Sequence, residues 1–399
     1  MSRKIIVCLD GTGNEIETNE SNVLRLYKTL ERSEDQLVYY HPGVGTMDTN
    51  PFAKLFWSKP KLIAGLIFGA GLETNVLRAY EFLCRHYQEG DKKNNIDGDR
   101  LYFFGYSRGA YTARALAGFI NDFGLVDPQE FHLVAPVFRA WRAISNADDR
   151  KAYAKIRMLE HAFTMRYPAI RFLGLWDTVS SLLRVKLGKG TFIQYGTHSS
   201  VDENPSVESV RHVLAIDETR RFFRHQFWTE GQKYYGNRFK SKKNPPDQDV
   251  KQVWFAGTHT DVAGSVYEPE AGLAKITMHW MRQELDGLKV DKLAFRTISY
   301  NRYVLGKEDK VTAKMGLTVS KPDPSAPLHS QMKKGWFILE IFPRLRRRSR
   351  WPHLKDRKGY YIPWGQYRYI PPESDIHPTA LERRADKANT YDPPNLKPF

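Results

Sequence analysis

Short apolar runs recur along this chain, and each stops abruptly at polar residues. Ile5 to Leu9 ends at Asp10-Gly11, Gln36 to Tyr40 at His41, and Arg100 to Gly105 at the turn holding Ser107. Ile170 to Trp176 ends at Asp177, and Val253 to Ala256 at the turn holding His259. Residues 22–30, 73–87, 110–120 and 153–165 carry helical spacing; in 73–87 the apolar positions are Val76, Leu77, Tyr80, Leu83 and Cys84. Short apolar strands alternating with helices predict an α/β fold: a mostly parallel sheet with helices on both faces. In such a sheet ligands sit at the carboxyl ends of the strands. The five polar strand ends therefore fall along one edge.

The third strand end is the most specific. LYFFGYSRGAYTAR reads as strand, sharp turn, helix, with Gly105 and Gly109 flanking Ser107 two residues to either side. This is the G-x-S-x-G nucleophile elbow, in which small residues let the chain bend tightly enough to expose the hydroxyl. A serine hydroxyl is a weak nucleophile. It needs an imidazole to take its proton and a carboxylate to hold the imidazole in the right tautomer. Ser107, Asp177 and His259 follow in the chain order nucleophile, acid, base. The expected oxyanion donors are the N–H of Arg108 and an N–H from Gly11-Thr12, with Asp10 fixing that turn.

Each assignment has a rival. Asp177 could cap a turn and His259 could bond a loop carbonyl. Asp261 is the second acid, with a loop or helix cap as its structural role. His212 lies in RHVLAIDETRRFF, a helix-like run that suits a core or groove histidine. His377, in SDIHPTALERR, is the second base, and its sequence suits a helix start. LDGTGN is similar to a DxDGT phosphatase motif, but its nucleophilic aspartate would fall on Cys8, which removes that reading.

Composition narrows the classes. At 399 residues, 41% hydrophobic, the chain can bury a large core, and its net charge of +16 favours anionic partners. No CxxC, CCHH or RNP-like pattern points to nucleic acid. Cys8 and Cys84 fall in apolar strand and helix patterns, as core residues rather than a disulfide. No signal peptide and no apolar stretch of membrane-spanning length is visible, so a cytoplasmic site of synthesis is expected. Leu62 to Leu72, LIAGLIFGAGL, is short and glycine-broken and reads as a buried or cleft-lining segment. Residues 1–290 read as the catalytic domain, with 183–206 a candidate lid or insertion and 232–250 a charged loop. Residues 291–399, rich in proline, aromatics and arginine, read as an accessory region packed on it, without strand alternation.

Together these pieces resemble the bacterial and fungal α/β-hydrolase family that includes the catalytic domains of type VI secretion phospholipase effectors. The matching strings are CLDGTGN, YYHPGVGT, FGAGLETNVLRAYEFLCRHY, FFGYSRGAYTARALAGFI, GLWDTV, VRHVLAIDETRRFFRHQFW and WFAGTHTDVAGS, in order between residues 5 and 267. DIHPTALERR and YDPPNLKP are similar to the family's C-terminal end. The resemblance implies an α/β-hydrolase fold, a serine esterase mechanism and cleavage of a phospholipid acyl ester, in the manner of a phospholipase A. It also implies type VI delivery, with a secretion-apparatus or immunity protein as partner. One departure is Val262-Ala263-Gly264-Ser265, where a more glycine-rich turn is expected.

No metal or cofactor is expected. Lys54 to Lys61 and Trp336 to Trp351 mix cations with aromatics, which suits an anionic membrane surface or, equally, a packed element with a charged edge. Two other functions remain at this stage. One is an esterase or amidase for soluble substrates; the other is a non-enzymatic binding scaffold.

Overall fold

The computed structural model describes residues 2–11, 19–43, 60–91, 98–144, 150–179, 183–186, 192–195, 201–237, 239, 243–332, 340, 344–345, 360–362, 364–388 and 390–397, with backbone alone for 60–70, 150, 152, 183–186, 192–195, 222, 315, 344–345 and 360–361. Its centre is a seven-stranded sheet. The strands are β1 (Lys4–Leu9), β2 (Gln36–His41), β3 (Arg100–Tyr106), β4 (Ile170–Trp176), β5 (Val207–Ala215), β6 (Asp249–Phe255) and β7 (Asp375–Ile376). They lie in the order β7-β6-β5-β4-β3-β1-β2, and every pair is parallel.

Side-chain alternation along these strands builds two cores. Ile5, Val7, Leu9, Leu101, Phe103, Leu173 and Leu175 pack on one face. Ile6, Cys8, Tyr102, Phe104, Phe172 and Trp176 pack on the other. Burial on both faces is why the strands read as nearly unbroken apolar runs. Helices α2 (Pro60–His86) and α3 (Arg108–Phe123) join the first core through residues such as Val76, Tyr80, Leu116 and Phe119. Helices α1 (Asn22–Thr29) and α5 (Gly272–Asp286) join the second through Val23, Leu26, Met278 and Met281. This is an α/β-hydrolase-like fold. Cys8 and Cys84 are buried and free.

Four readings of the sequence change. Helix α2 begins at Pro60 rather than Glu73, so Leu62 to Leu72 is helical. A helix-interior glycine costs about 1 kcal/mol, too little to stop a run that continues into Val76. The helix placed at 153–165 covers Arg150–Glu160 instead. Met165–Arg166 leaves it to pair antiparallel with Leu125–Val126. Residues 207–215, read as helix-like around His212, form β5. Beyond residue 290 a strand does exist: β7 adds to the sheet edge beside β6. A third apolar cluster joins this C-terminal segment to the sheet, with Ile370, Ala380, Tyr391 and Leu396 on Leu214, Ile216 and Trp254.

Within 183–206, Leu183–Lys186 and Phe192–Tyr195 form an antiparallel hairpin. The cation–aromatic segments at 54–61 and 336–351 lie largely outside the described residues. Among the described residues, no helix is long and apolar enough to cross a membrane.

Candidate active site

The elbow after β3 is held by contacts that only glycine permits. A Cβ on Gly105 would sit 2.5 Å from the Gly109 carbonyl oxygen, and one on Gly109 would sit 2.1 Å from the Leu9 carbonyl oxygen. The turn therefore closes on itself and on the end of β1. Ser107 takes φ 57° and ψ −119°, a region that side-chain-bearing residues rarely occupy. Its N–H donates to the Trp176 carbonyl at 3.0 Å, which ties the elbow to the end of β4.

Asp177 follows β4 directly and also has positive φ, 43°. Strain at two adjoining strand ends is typical of functional sites. Asp177 is wholly buried. Its N–H donates to the Val213 carbonyl at 2.8 Å, and its Oδ1 accepts the Ala215 N–H at 3.1 Å. His259 is brought in from β6. Gly257, with φ 128°, makes the turn; a Cβ there would lie 2.7 Å from the Asp261 Cβ. Thr258 then caps the short helix α4 (His259–Ala263), and His259 is its first residue.

These turns align three side chains. The Ser107 hydroxyl lies 2.8 Å from His259 Nε2, and His259 Nδ1 lies 2.5 Å from Asp177 Oδ2. Burial pushes the Asp177 carboxyl up, but Arg368 and His259 outweigh it and hold it well below the usual carboxylate range. An ionised carboxylate only accepts, so Nδ1 carries the imidazole proton and Nε2 accepts from Ser107. Burial also lowers the His259 pKa, against the pull of Asp177, and favours the neutral base. The ring of Tyr106 lies 4.9 Å from the imidazole and that of Phe223 also 4.9 Å. A hydroxyl bonded to a neutral, oriented imidazole can pass its proton on as it attacks a carbonyl carbon.

The other expected residues are directed elsewhere. Asp261 accepts the Thr258 N–H and hydroxyl at 2.9 and 2.8 Å, and its Oδ1 lies 2.6 Å from His329 Nδ1. It caps α4. His212 is a buried β5 residue: Nε2 accepts the Thr178 N–H at 3.2 Å, and Nδ1 faces Gln252 at 3.3 Å. Burial lowers its pKa to about 3, so it stays neutral. His377 is the N-cap of helix α6 (Pro378–Ala385), stacked 4.4 Å from Phe255, with its pKa lowered by burial to about 4.

Asp10 is a structural acceptor for Ser21 Oγ at 2.5 Å and the Tyr40 hydroxyl at 2.8 Å. Its Oδ1 also takes the Gly11 N–H at 2.6 Å. That bond corrects the oxyanion assignment: the Gly11 donor is engaged by its neighbour. Thr12 lies outside the described residues. Arg108 opens α3 immediately after Ser107. In the 262–265 turn, Gly264 has φ 87° and Ser265 has φ 66°, so serine takes a left-handed position where glycine was expected.

Sequence reasoning missed Arg368. Its Nη1 donates to Asp177 Oδ1 at 2.5 Å and its Nη2 to Oδ2 at 2.9 Å. Nothing local in GQYRYIPP distinguishes this arginine from its many neighbours. It also missed Glu218, which accepts the His259 N–H at 3.3 Å and pairs with Arg220 at 2.8 Å. Among the described residues no group of His, Cys, Asp and Glu could hold a metal ion.

Residues 3–284 match the family described as the type VI secretion phospholipase effector Tle1-like catalytic domain. The chain is 30% identical over 241 residues to the uncharacterized protein YEL023C of Saccharomyces cerevisiae, across 57% of this chain and 33% of that protein. It therefore spans about a third of the length of that curated relative. Two solved structures are similar. One is an uncharacterized protein from Pseudomonas aeruginosa, 20% identical, covering 71% of this chain and 45% of that one, with a TM-score of 0.38. The other is a Tle1 effector bound to the VgrG spike of a type 6 secretion system, 16% identical, covering 79% and 66%, with a TM-score of 0.34.

Proposed function

Because the chain belongs to the Tle1-like phospholipase effector catalytic-domain family, we propose that it is a serine carboxylester hydrolase cleaving an acyl ester of a phospholipid, a phospholipase A-type activity. The observation that carries this is the hydrogen-bonded line Ser107–His259–Asp177, with spacings of 2.8 and 2.5 Å, at the carboxyl edge of the sheet.

In this mechanism Ser107 Oγ attacks the acyl carbonyl carbon while its proton passes to His259 Nε2. The imidazolium keeps its Nδ1–H on Asp177. Negative charge develops on the carbonyl oxygen, and the Arg108 N–H is one donor to it. With the Gly11 N–H engaged by Asp10, the second donor assigned by the sequence is that of Thr12. Collapse of the tetrahedral intermediate breaks the ester C–O bond, and His259 returns the proton to the departing lysophospholipid oxygen. A water molecule, deprotonated by the same imidazole, then releases the fatty acid from Ser107.

Family membership also supports a secretion-apparatus protein or an immunity protein as partner, with delivery by type VI secretion. The formal charge of +16 supports encounter with an anionic membrane surface.

Defined phospholipid vesicles incubated with wild type and with Ser107→Ala test the reading, with products profiled by mass spectrometry. Wild type is expected to release fatty acid and lysophospholipid and to be labelled by a fluorophosphonate probe, and Ser107→Ala to do neither. Hydrolysis of short soluble esters without any increase on vesicles would replace lipid with a soluble substrate. A wild-type protein that is neither labelled nor active would overturn the assignment.

A further inference from the structure

Arg368 lies outside the stretch that matches the family, residues 3–284, and 191 positions beyond Asp177 in the chain. It is nevertheless buried, and both of its terminal nitrogens bond the Asp177 carboxylate. The fork is itself held in place. Nη1 also donates to the Ala215 carbonyl at 3.2 Å, and Nη2 to the Phe223 carbonyl. The Arg368 carbonyl accepts Asn395 Nδ2 at 3.1 Å, and the same nitrogen donates to the Ile216 carbonyl at 2.9 Å. The arginine is thus anchored to the carboxyl end of β5 and to the segment after α6, with a planar, bidentate grip on the carboxylate that a lysine could not reproduce.

On the reading of Ser107, His259 and Asp177 given above, we propose that Arg368 is a positioning residue: it fixes the orientation of Asp177 and offsets its charge, and so sets the proton affinity of His259. Asp177 and Arg368 form a neutral unit behind the imidazole. His259 then feels a carboxylate that is aligned but partly countered. The other charged groups facing His259 are already paired. Glu218, on its backbone side, is bound to Arg220. Asp261, on its own helix, is bound to His329. Tyr106 packs against the ring, and His212 lies beyond Asp177 with its Nε2 on the Thr178 N–H. Of these charges, Arg368 alone acts through the carboxylate that touches the ring.

The experiment uses the full chain with Arg368→Gln and Arg368→Lys. The His259 pKa is read by imidazole nitrogen NMR, and the acid limb of kcat/KM by pH profile. Removing the guanidinium leaves Asp177 free to stabilise the imidazolium. The pKa and the acid limb are expected to rise by about 1 unit or more, with a fall in kcat of about tenfold from lost alignment. The lysine variant keeps a charge but loses the fork; a smaller rise and a similar fall in kcat are expected. An arginine that merely stabilises the fold would lower the unfolding midpoint and leave both pH readouts where they are. That result overturns the proposal. So does a lysine variant with wild-type kcat and pH profile, even if the glutamine variant fails to fold. The NMR readout needs no turnover. A raised imidazole pKa in a protein without esterase activity would sustain the role of Arg368 and remove the hydrolase reading instead.

Discussion

Substituting Gly109 by alanine tests whether the contact between the elbow and β1 sets the position of Ser107. The added Cβ would lie 2.1 Å from the Leu9 carbonyl oxygen, 2.5 Å from the Asp10 oxygen and 2.7 Å from the Leu9 carbonyl carbon. Carbon–oxygen contacts settle at about 3.3 Å, so the closest overlap is about 1.2 Å. All three neighbours are backbone atoms and none can rotate away. Either the end of β1 or the elbow must shift by about that distance. Overpacking of this kind costs about 1–3 kcal/mol. Misplacing a reacting group by about 1 Å costs about 100-fold in rate. The expected result is a lower urea midpoint and about a 100-fold slower fluorophosphonate labelling of Ser107. Gly287→Ala is the control, since its Cβ would meet only the Gln283 and Glu284 carbonyl oxygens at 3.4 Å. It is expected to behave as wild type. Gly109→Ala with an unchanged midpoint and a labelling rate within about threefold of wild type would refute the reasoning.

Three further outcomes are expected. Ser107→Gly and Ser107→Ala should both resist labelling, but the glycine variant should be more stable by about 1 kcal/mol in chemical denaturation, because glycine adopts φ 57° without strain. Asp177→Asn should slow acyl transfer by about 10³–10⁴-fold. Asp261→Asn, which weakens only the Thr258 cap and the bond to His329, should cost about 1 kcal/mol of stability and leave labelling within about tenfold; equal losses in the two variants would contradict the geometry. His212 supplies a pH signature. Its folded pKa is lowered to about 3, so the neutral form is the folded form. Its contribution is intact above an unfolded value of about 6.5 and is lost as pH falls, at up to about 1.4 kcal/mol per pH unit. Urea midpoints for His212→Gln should fall less steeply than those of wild type between about pH 6.5 and pH 4.

What the sequence made legible was local. The elbow is a five-residue pattern between an apolar run and a helix, and Asp177 and His259 each follow their own apolar run. Strand β5 was obscured because Glu208, Arg211 and His212 break the apolar pattern of a central strand. The structure satisfies all three: Glu208 pairs with Arg171, Arg211 with Asp249 and Glu284, and His212 is met by Gln252 and the Thr178 N–H. Such pairings depend on tertiary neighbours and leave no periodic trace. The rivalry of Asp261 with Asp177 had the same origin. Two carboxylates near one histidine look alike in sequence, and only the turn at Gly257 decides that Asp261 points back to Thr258. Arg368 was unreadable for a further reason, since its partner lies 191 residues away.

That separation has a consequence in time. At about 5–20 residues per second, the ribosome makes Arg368 roughly 10–40 s after Asp177. Once Phe255 has been made, β1 to β6 can be complete while the buried carboxylate still lacks its cation. An unpaired charge resists burial, so the histidine turn is expected to close late, after the distant arginine has arrived. Ser107 of a nascent chain would then stay unreactive while the chain is being made, which a labelling pulse on chains stalled before residue 368 reads directly.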